Sequence, residues 1–234
     1  MKYARVLALT ALAALAAMAV AASSASAETG AKICSFEGAS GACNNSTAHG
    51  QLYKGEIDAT LEAGKSATLT ATDTSGNSVK TITCTTSTVK GSVTDPANGT
   101  GTITSQTFTN CSAPGCETVT ASTPRTGGAF PWPATVTTEI AKTENTNGIM
   151  HITQEAGKTN GPSGKFSCRV FGIHFTCEYE ATNATVTITG GKPAKVKATN
   201  VPLTLKSGSE ASCGQTGHWS GDYVVTSPTS LYIE

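Results

Sequence analysis

Apolar and polar side chains alternate along much of this chain, and the alternation is clearest between Phe175 and Lys206. In residues 175–181 the apolar side chains occupy the odd-numbered positions. In residues 184–189 they occupy the even-numbered positions, and Asn183 marks a turn between the two segments. A two-residue period places one set of side chains on a buried face and the other set in water. The pattern therefore predicts two consecutive β-strands, each with one buried face.

A β-bulge is predicted in the strand that follows. Residues 190–193, Gly-Gly-Lys-Pro, end the alternation because glycine tolerates positive φ and proline lacks an amide hydrogen. The apolar set then runs through Val196 and continues at odd positions from Val201. A one-residue slip would turn the apolar face to solvent, so an extra residue near Asn200 is expected to restore the register. Pro202 agrees, because proline inside a sheet is confined to edges and bulges.

Shorter stretches of the same alternation lie between turn signals rich in Gly, Asn, Asp and Pro along the rest of the chain. They are residues 57–61, 67–71, 79–89, 103–108, a short segment near Val119, 136–141, 149–153, 166–170, 223–225 and 231–233. No segment beyond residue 27 has helical periodicity of useful length. The chain is therefore predicted to be all-β, an antiparallel β-sandwich or barrel of many short strands, and both architectures satisfy the pattern.

The first 27 residues have the pattern of a secretory signal peptide. Lys2 and Arg5 give a basic start, residues 6–22 are apolar, and Ala-Ser-Ala at 25–27 fits a small-x-small cleavage site. We therefore expect a secreted, extracellular protein that begins at Glu28. No second apolar stretch is long enough to span a bilayer, so no transmembrane segment is expected.

The rest of the chain, residues 28–234, is predicted to form a single all-β domain. The longest irregular stretch between strands is residues 122–133, which contain two glycines and three prolines. This stretch is the expected boundary if the chain divides into two parts, because domain boundaries fall in such segments.

The charge of the mature chain disfavours several classes of partner. Cleavage would remove two of the 16 basic residues and none of the 16 acidic residues, which leaves a net charge of −2. Proteins that bind nucleic acid or anionic membranes usually carry a strong basic surplus. We therefore expect no nucleic-acid partner, and we expect the mature protein to be a monomer.

All eight cysteines follow the cleavage site, and an even number in an exported chain predicts disulfides. A metal site is disfavoured because no Cys-x-x-Cys pair occurs. Cysteines that flank short loops are expected to pair with each other, and the two that remain would then form a long link. The predicted disulfides are Cys34–Cys43, Cys111–Cys116, Cys168–Cys177 and Cys84–Cys213.

The sequence gives no catalytic, metal-ligating or cofactor-binding motif. The four histidines lie on separate elements without ligand spacing: His49, His151, His174 and His218. His218, Ser220 and Asp222 lie too close in sequence for a triad and are interpreted as part of a turn before the last long strand. Glu178 and Glu180 share a strand face about 7 Å apart, a separation that glycoside cleavage allows. They are interpreted as two solvated charges.

Three aromatic residues are the candidate binding residues, namely Phe130, Trp132 and Trp219. They belong to a set of only 13 aromatic residues, and the chain has 2 tryptophans. Phe130 and Trp132 lie beside prolines, which would hold their rings in a rigid loop. Flat aromatic faces on rigid loops suit stacking against sugar rings, so a glycan or cell-wall polymer is a possible partner. The alternative is that the tryptophans pack in the core.

Three segments resemble a group of uncharacterised secreted all-β proteins of soil actinobacteria. They are residues 185–194 (TVTITGGKPA), residues 200–203 (NVPL) and residues 219–232, in which Trp219 is followed by Tyr223 and by VTSPT. The Phe-Pro-Trp segment at 130–132 fits the same group. The resemblance implies an exported β-protein and brings no activity, ligand or catalytic residue.

These observations favour a non-enzymatic extracellular or cell-surface protein with a binding or structural role. The first alternative is a secreted hydrolase whose site is assembled only by folding. The second alternative is a pore-forming protein, because Ser- and Thr-rich strands also occur in that class.

Overall fold

The fold is all-β in the computed structural model, which describes residues 30–35, 43, 51–122, 130–138, 147–156, 161–207, 209 and 212–233. No helix occurs within these ranges, and hence none that could cross a membrane. The strands are β1 (Ile33–Cys34), β2 (Gly55–Leu61), β3 (Ala67–Thr72), β4 (Ser78–Asp95), β5 (Thr100–Ser112), β6 (Thr118–Ser122), β7 (Trp132–Thr138), β8 (Asn147–Thr153), β9 (Ser163–Val170), β10 (Ile173–Glu180), β11 (Asn183–Thr189), β12 (Lys195–Leu205), β13 (Thr216–Ser227) and β14 (Tyr232–Ile233).

Eight of these strands close into an antiparallel barrel. Going around the ring, their order is β2, β4, β5, β7, β8, β11, β12 and β13, and β13 pairs back with β2. A closed ring leaves no unpaired sheet edge. Of the two architectures that the alternation predicted, the barrel is therefore the one that forms.

The remaining strands of the large sheet extend this barrel at one end. Strands β4, β5, β12 and β13 are long, and their far halves continue beyond the ring. There β3 pairs between β13 and β4, and β10, β9 and β6 follow in order on β12. The molecule thus has two stacked layers that share four long strands. The eight-stranded ring is called the first barrel, and the extension that contains β3, β10, β9 and β6 is called the second layer.

The predicted alternation and the predicted bulge are both confirmed. Ala184, Val186 and Ile188 of β11 are buried, and the threonines between them are exposed. The register of β12 against β13 shifts between Ala198 and Val201. Asn200 adopts a φ of 47° there, a conformation that asparagine tolerates better than most residues.

The bulge is held by a reciprocal pair of hydrogen bonds with β13. The Asn200 amide donates to Ser220 Oγ at 2.9 Å, and Ser220 Oγ donates to Asn200 Oδ1 at 3.2 Å. Because the bulged residue has lost its ladder partner, the first of these bonds satisfies its backbone amide, and the second holds its side chain against β13.

The first barrel is closed at its other end by the short pair β1–β14. Ile33, Leu231 and Ile233 of this region are buried and pack with Val225 and Tyr223 of β13. A second apolar cluster, which includes Phe166, Tyr179 and Trp132, fills the extension and the junction of the two layers.

The chain forms four disulfides, which fit an oxidising extracellular environment. The predicted Cys34–Cys43 link is confirmed. The predicted pairs Cys111–Cys116, Cys168–Cys177 and Cys84–Cys213 are wrong, and the disulfides formed instead are Cys84–Cys111, Cys116–Cys168 and Cys177–Cys213.

The strand register explains the corrected pairing. Cys84 and Cys111 are direct cross-strand partners on β4 and β5. Cys168 lies opposite Phe175 rather than opposite Cys177, so the two cysteines of that hairpin do not face each other. Loop length alone therefore selected the wrong partners.

Several predictions concern residues outside the described ranges. These are the signal peptide at 1–27, His49 and most of the boundary stretch at 122–133. Cleavage after Ala27 and the single-domain organisation remain predictions.

Candidate functional site

A cavity of about 140 Å³ lies inside the first barrel. Most of its wall is formed by inward-facing side chains of the barrel strands. Residues of the end pair β1–β14 and residues at the junction with the second layer complete the wall. None of the described residues in the wall carries a charged side chain. The apolar members at the junction are Ile103, Trp132, Ile152, Ala184, Leu203 and Trp219.

Small residues in the wall leave the space open. Strands β4 and β5 approach each other so closely at Gly91 and Gly101 that neither position has room for a side chain. A Cβ at Gly101, for example, would lie 2.3 Å from the Ser92 carbonyl oxygen. Gly164 is different, because a Cβ there would meet no atom within 4 Å. Its cross-strand partner Tyr179 is fully buried, and paired residues share a face of the sheet. The missing side chain of Gly164 therefore points toward the interior.

The polar groups near the cavity are largely engaged with one another. Tyr223 and Ser87 are joined by a hydroxyl–hydroxyl hydrogen bond of 3.0 Å, and Ser87 Oγ donates to the Thr107 carbonyl oxygen at 2.7 Å. Burial raises the pKa of Tyr223, so the phenol is neutral at ordinary pH. Ser92 and Thr102 likewise share a hydroxyl hydrogen bond of 3.1 Å.

Trp132 is the largest side chain in the cavity wall that is almost fully buried, with an exposed fraction of 2%. The half-buried ring of Phe130 packs on it, with centroids 4.3 Å apart and planes tilted by 30°. The indole nitrogen of Trp132, Nε1, is buried and has no hydrogen-bond partner. Trp132 therefore does not offer a face to solvent, and the predicted sugar-stacking platform in a loop is wrong for this residue.

Trp219 is half-buried and also lines the cavity, with its ring centroid 6.2 Å from that of Tyr223. The buried Nε1 of Trp219 lies close to the Tyr223 hydroxyl and partly offsets the burial that raises the pKa of Tyr223. The two groups are not in hydrogen-bond geometry. The structure thus brings both predicted tryptophans to one cavity, and Phe130 supports one of them from outside the wall.

The loop interpretation of the Pro-rich segment failed because β7 begins at Trp132 and includes Pro133. Trp132, Ala134 and Val136 are all buried, which is a two-residue period. The signal for a strand was present in these residues, but the flanking prolines masked it.

The polar candidates lie on several different strands. Lys206 Nζ contacts Glu178 Oε1 at 2.8 Å, and Glu180 Oε2 is buried without a hydrogen-bond partner, so these are not two solvated charges. His151 Nδ1 lies 3.3 Å from Thr185 Oγ1, and His174 is exposed.

The segment that contains His218, Ser220 and Asp222 lies within β13 and is not the predicted turn. Asp222 contacts Lys65 Nζ at 3.7 Å. Among the residues that the structure describes, no group of three or more His, Cys, Asp or Glu side chains could hold a metal ion.

Comparison with known proteins gives no relative: no family model, curated protein or solved structure matches the chain.

Proposed function

We propose that this protein is an extracellular, non-enzymatic binding protein that holds one small apolar molecule inside its eight-stranded barrel. The observation that carries the proposal is the uncharged cavity of about 140 Å³ in the barrel interior. Barrels of eight strands either fill their interior with side chains or enclose one small ligand. Ligand sites are typically concave, mostly apolar and largely formed before the ligand arrives.

The volume of the cavity sets the size of the ligand. An engineered cavity of about 150 Å³ lined by apolar side chains in another protein stays dry and binds benzene or xenon. A ligand of about six non-hydrogen atoms is therefore expected here, because the cavity is of similar volume and its wall is also apolar.

Secretion is part of the proposal and is supported by three features. The first 27 residues have the pattern of a signal peptide, the four disulfides fit an oxidising compartment, and the C-terminal segments resemble exported actinobacterial proteins. N-terminal sequencing of exported protein should give Glu28-Thr29-Gly30, and material that still begins at Met1 would contradict this part.

The binding part is tested by filling the cavity from Gly164. Leucine at this position would place its side chain in open space, because no atom lies within 4 Å of the Cβ. We expect the wild-type protein to bind benzene in titration calorimetry and Gly164→Leu to lose that binding while it stays folded.

Thr189→Leu is the matched control, since it adds the same side chain to an exposed position on β11. This variant should bind benzene with the wild-type affinity. Absence of benzene binding to wild-type protein, or equal binding by Gly164→Leu, would contradict the proposal. Retention on a cell-wall glycan without benzene binding would favour a surface site instead.

A further inference from the structure

Two indole donors at the cavity wall, those of Trp132 and Trp219, lack a hydrogen-bond acceptor. The Trp132 Nε1–H group is buried without a hydrogen-bond partner, and Trp132 lines the cavity. Buried tryptophan N–H groups usually find a partner, and an exception calls for a physical explanation such as a bound molecule.

The protein groups around Trp132 do not supply the missing acceptor. The neighbouring ring of Phe130 offers only carbon atoms. Thr102 pairs with Pro133, the residue after Trp132, so its hydroxyl, which is bonded to Ser92 Oγ at 3.1 Å, belongs to the other face of the sheet. A molecule bound in the cavity can therefore supply an acceptor for Trp132.

A bound water molecule is the competing occupant. A buried water is stable when it makes two to four hydrogen bonds; the wall contains Gln106 and the two indole N–H groups, but Ile103, Ile152, Ala184 and Leu203 at the junction are apolar. A molecule with an apolar body and one acceptor oxygen would satisfy the indole N–H and also fill the space.

The situation of Trp219 differs, although its Nε1 is also buried without a partner in hydrogen-bond geometry. Its ring centroid lies 6.2 Å from that of Tyr223, so a polar neighbour is close on the same strand. Trp219 is therefore the natural comparison residue, because it shares the cavity but has a polar group nearby.

We propose that the ligand is a small apolar carbonyl compound whose oxygen accepts a hydrogen bond from Trp132 Nε1. This inference rests on the proposed function, since it names the class of ligand for the same cavity. A cyclic ketone, an aldehyde or an ester of about six non-hydrogen atoms has the required combination of one acceptor and an apolar body.

The test compares two probes of the same shape, cyclopentanone and methylenecyclopentane, which differ in having an oxygen or a CH₂ group. Their dissociation constants are measured for wild-type protein, Trp132→Phe and Trp219→Phe. Phenylalanine keeps an aromatic ring but has no N–H group. The smaller ring should change the affinity for both probes, whereas the loss of the N–H group should change only the affinity for cyclopentanone.

We expect Trp132→Phe to weaken cyclopentanone binding about five- to tenfold more than methylenecyclopentane binding. Trp219→Phe should change both affinities by similar factors. Equal effects of Trp132→Phe on the two probes would overturn the inference and leave the proposed function standing. Failure of wild-type protein to bind either probe would overturn the proposed function, and the inference with it.

A measurement on wild-type protein keeps the test independent of the folding of the variants. The chain has 2 tryptophans, so a ¹H–¹⁵N spectrum contains two indole signals. Addition of cyclopentanone should move the Trp132 indole proton downfield, and methylenecyclopentane should not. The same shift with both probes, or no shift with saturating cyclopentanone, would overturn the inference.

Discussion

Ile103 and Trp132 lie directly opposite each other and form the final pair between β5 and β7. β7 begins at Trp132, whereas β5 continues to Ser112 beside β4. The wall of the first barrel therefore ends at this pair, and the two layers separate here. Both side chains line the cavity, so the cavity reaches the point where the sheet divides.

The hairpin between β9 and β10 contains a strained residue whose replacement should stabilise the fold. Val170 pairs with Ile173, and the two loop residues Phe171 and Gly172 have φ values of 49° and 80°. Turns with positive φ at both positions favour Asn-Gly, and Phe171 is 92% exposed, so its side chain packs against little. We expect Phe171→Asn to raise the free energy of unfolding by about 0.5–1 kcal/mol.

Urea unfolding checks this prediction, with Ile173→Asn as the control. Ile173 is also exposed but lies in β10 without positive φ, so its replacement should not stabilise the protein. An unchanged or lower unfolding midpoint for Phe171→Asn would show that the turn is not strained.

The disulfide pairing is directly testable by peptide mapping under non-reducing conditions. We expect only the pairs Cys34–Cys43, Cys84–Cys111, Cys116–Cys168 and Cys177–Cys213. A linked peptide that contains Cys84 and Cys213 would contradict the register of β4 and β5.

The four links should differ in their contribution to stability. Cys116–Cys168 closes the longest loop, with a separation of 52 residues, and Cys34–Cys43 closes the shortest, with 9. In the chain-entropy model, removing the first pair by double Cys→Ser substitution costs about 4 kcal/mol and removing the second costs about 2.5 kcal/mol. Equal losses in denaturant unfolding would contradict this order.

The buried phenol of Tyr179 should make the fold sensitive to alkaline pH. Burial raises the pKa of Tyr179 to about 12, and its hydroxyl donates to the Gly214 carbonyl oxygen at 2.8 Å. Between pH 10 and 12 the unfolded chain loses this proton while the folded chain keeps it. The free energy of unfolding should therefore fall by roughly 2 kcal/mol across this range as pH rises.

Tyr179→Phe isolates this contribution. The variant should be less stable than wild type at neutral pH by about 1 kcal/mol, because a buried carbonyl loses its hydrogen bond. Its decline above pH 10 should be shallower, since one fewer buried phenol titrates. Parallel declines in the two proteins would show that Tyr179 ionises as freely in the folded state as in the unfolded chain.

Local alternation was enough to predict strands such as β10 and β11 and the bulge in β12, but it missed the first residues of β7 and β13. The buried set of β11 and the register shift at Asn200 follow from which positions are apolar, and burial of one face enforces that choice. β4 is longer than predicted and extends to Asp95, because its register shifts by one residue near Gly91 and pairing then resumes.

The cavity and the disulfides could not be predicted in the same way, because both depend on contacts between distant strands. Cys116 and Cys168 meet only because β6 pairs with β9. Gly164 has no distinctive sequence context, and its open surroundings exist only in the folded chain, where β9 pairs with β10. The closure of the barrel, and hence its interior space, is set by the whole ring of strands.

A crystal of the protein pressurised with xenon tests the central claim most directly, because xenon binds in apolar cavities of this size. We expect one xenon atom inside the first barrel, beside Ile103 and Trp132, and none there in Gly164→Leu crystals. A barrel interior filled by side chains or by ordered water, without xenon, would contradict the account.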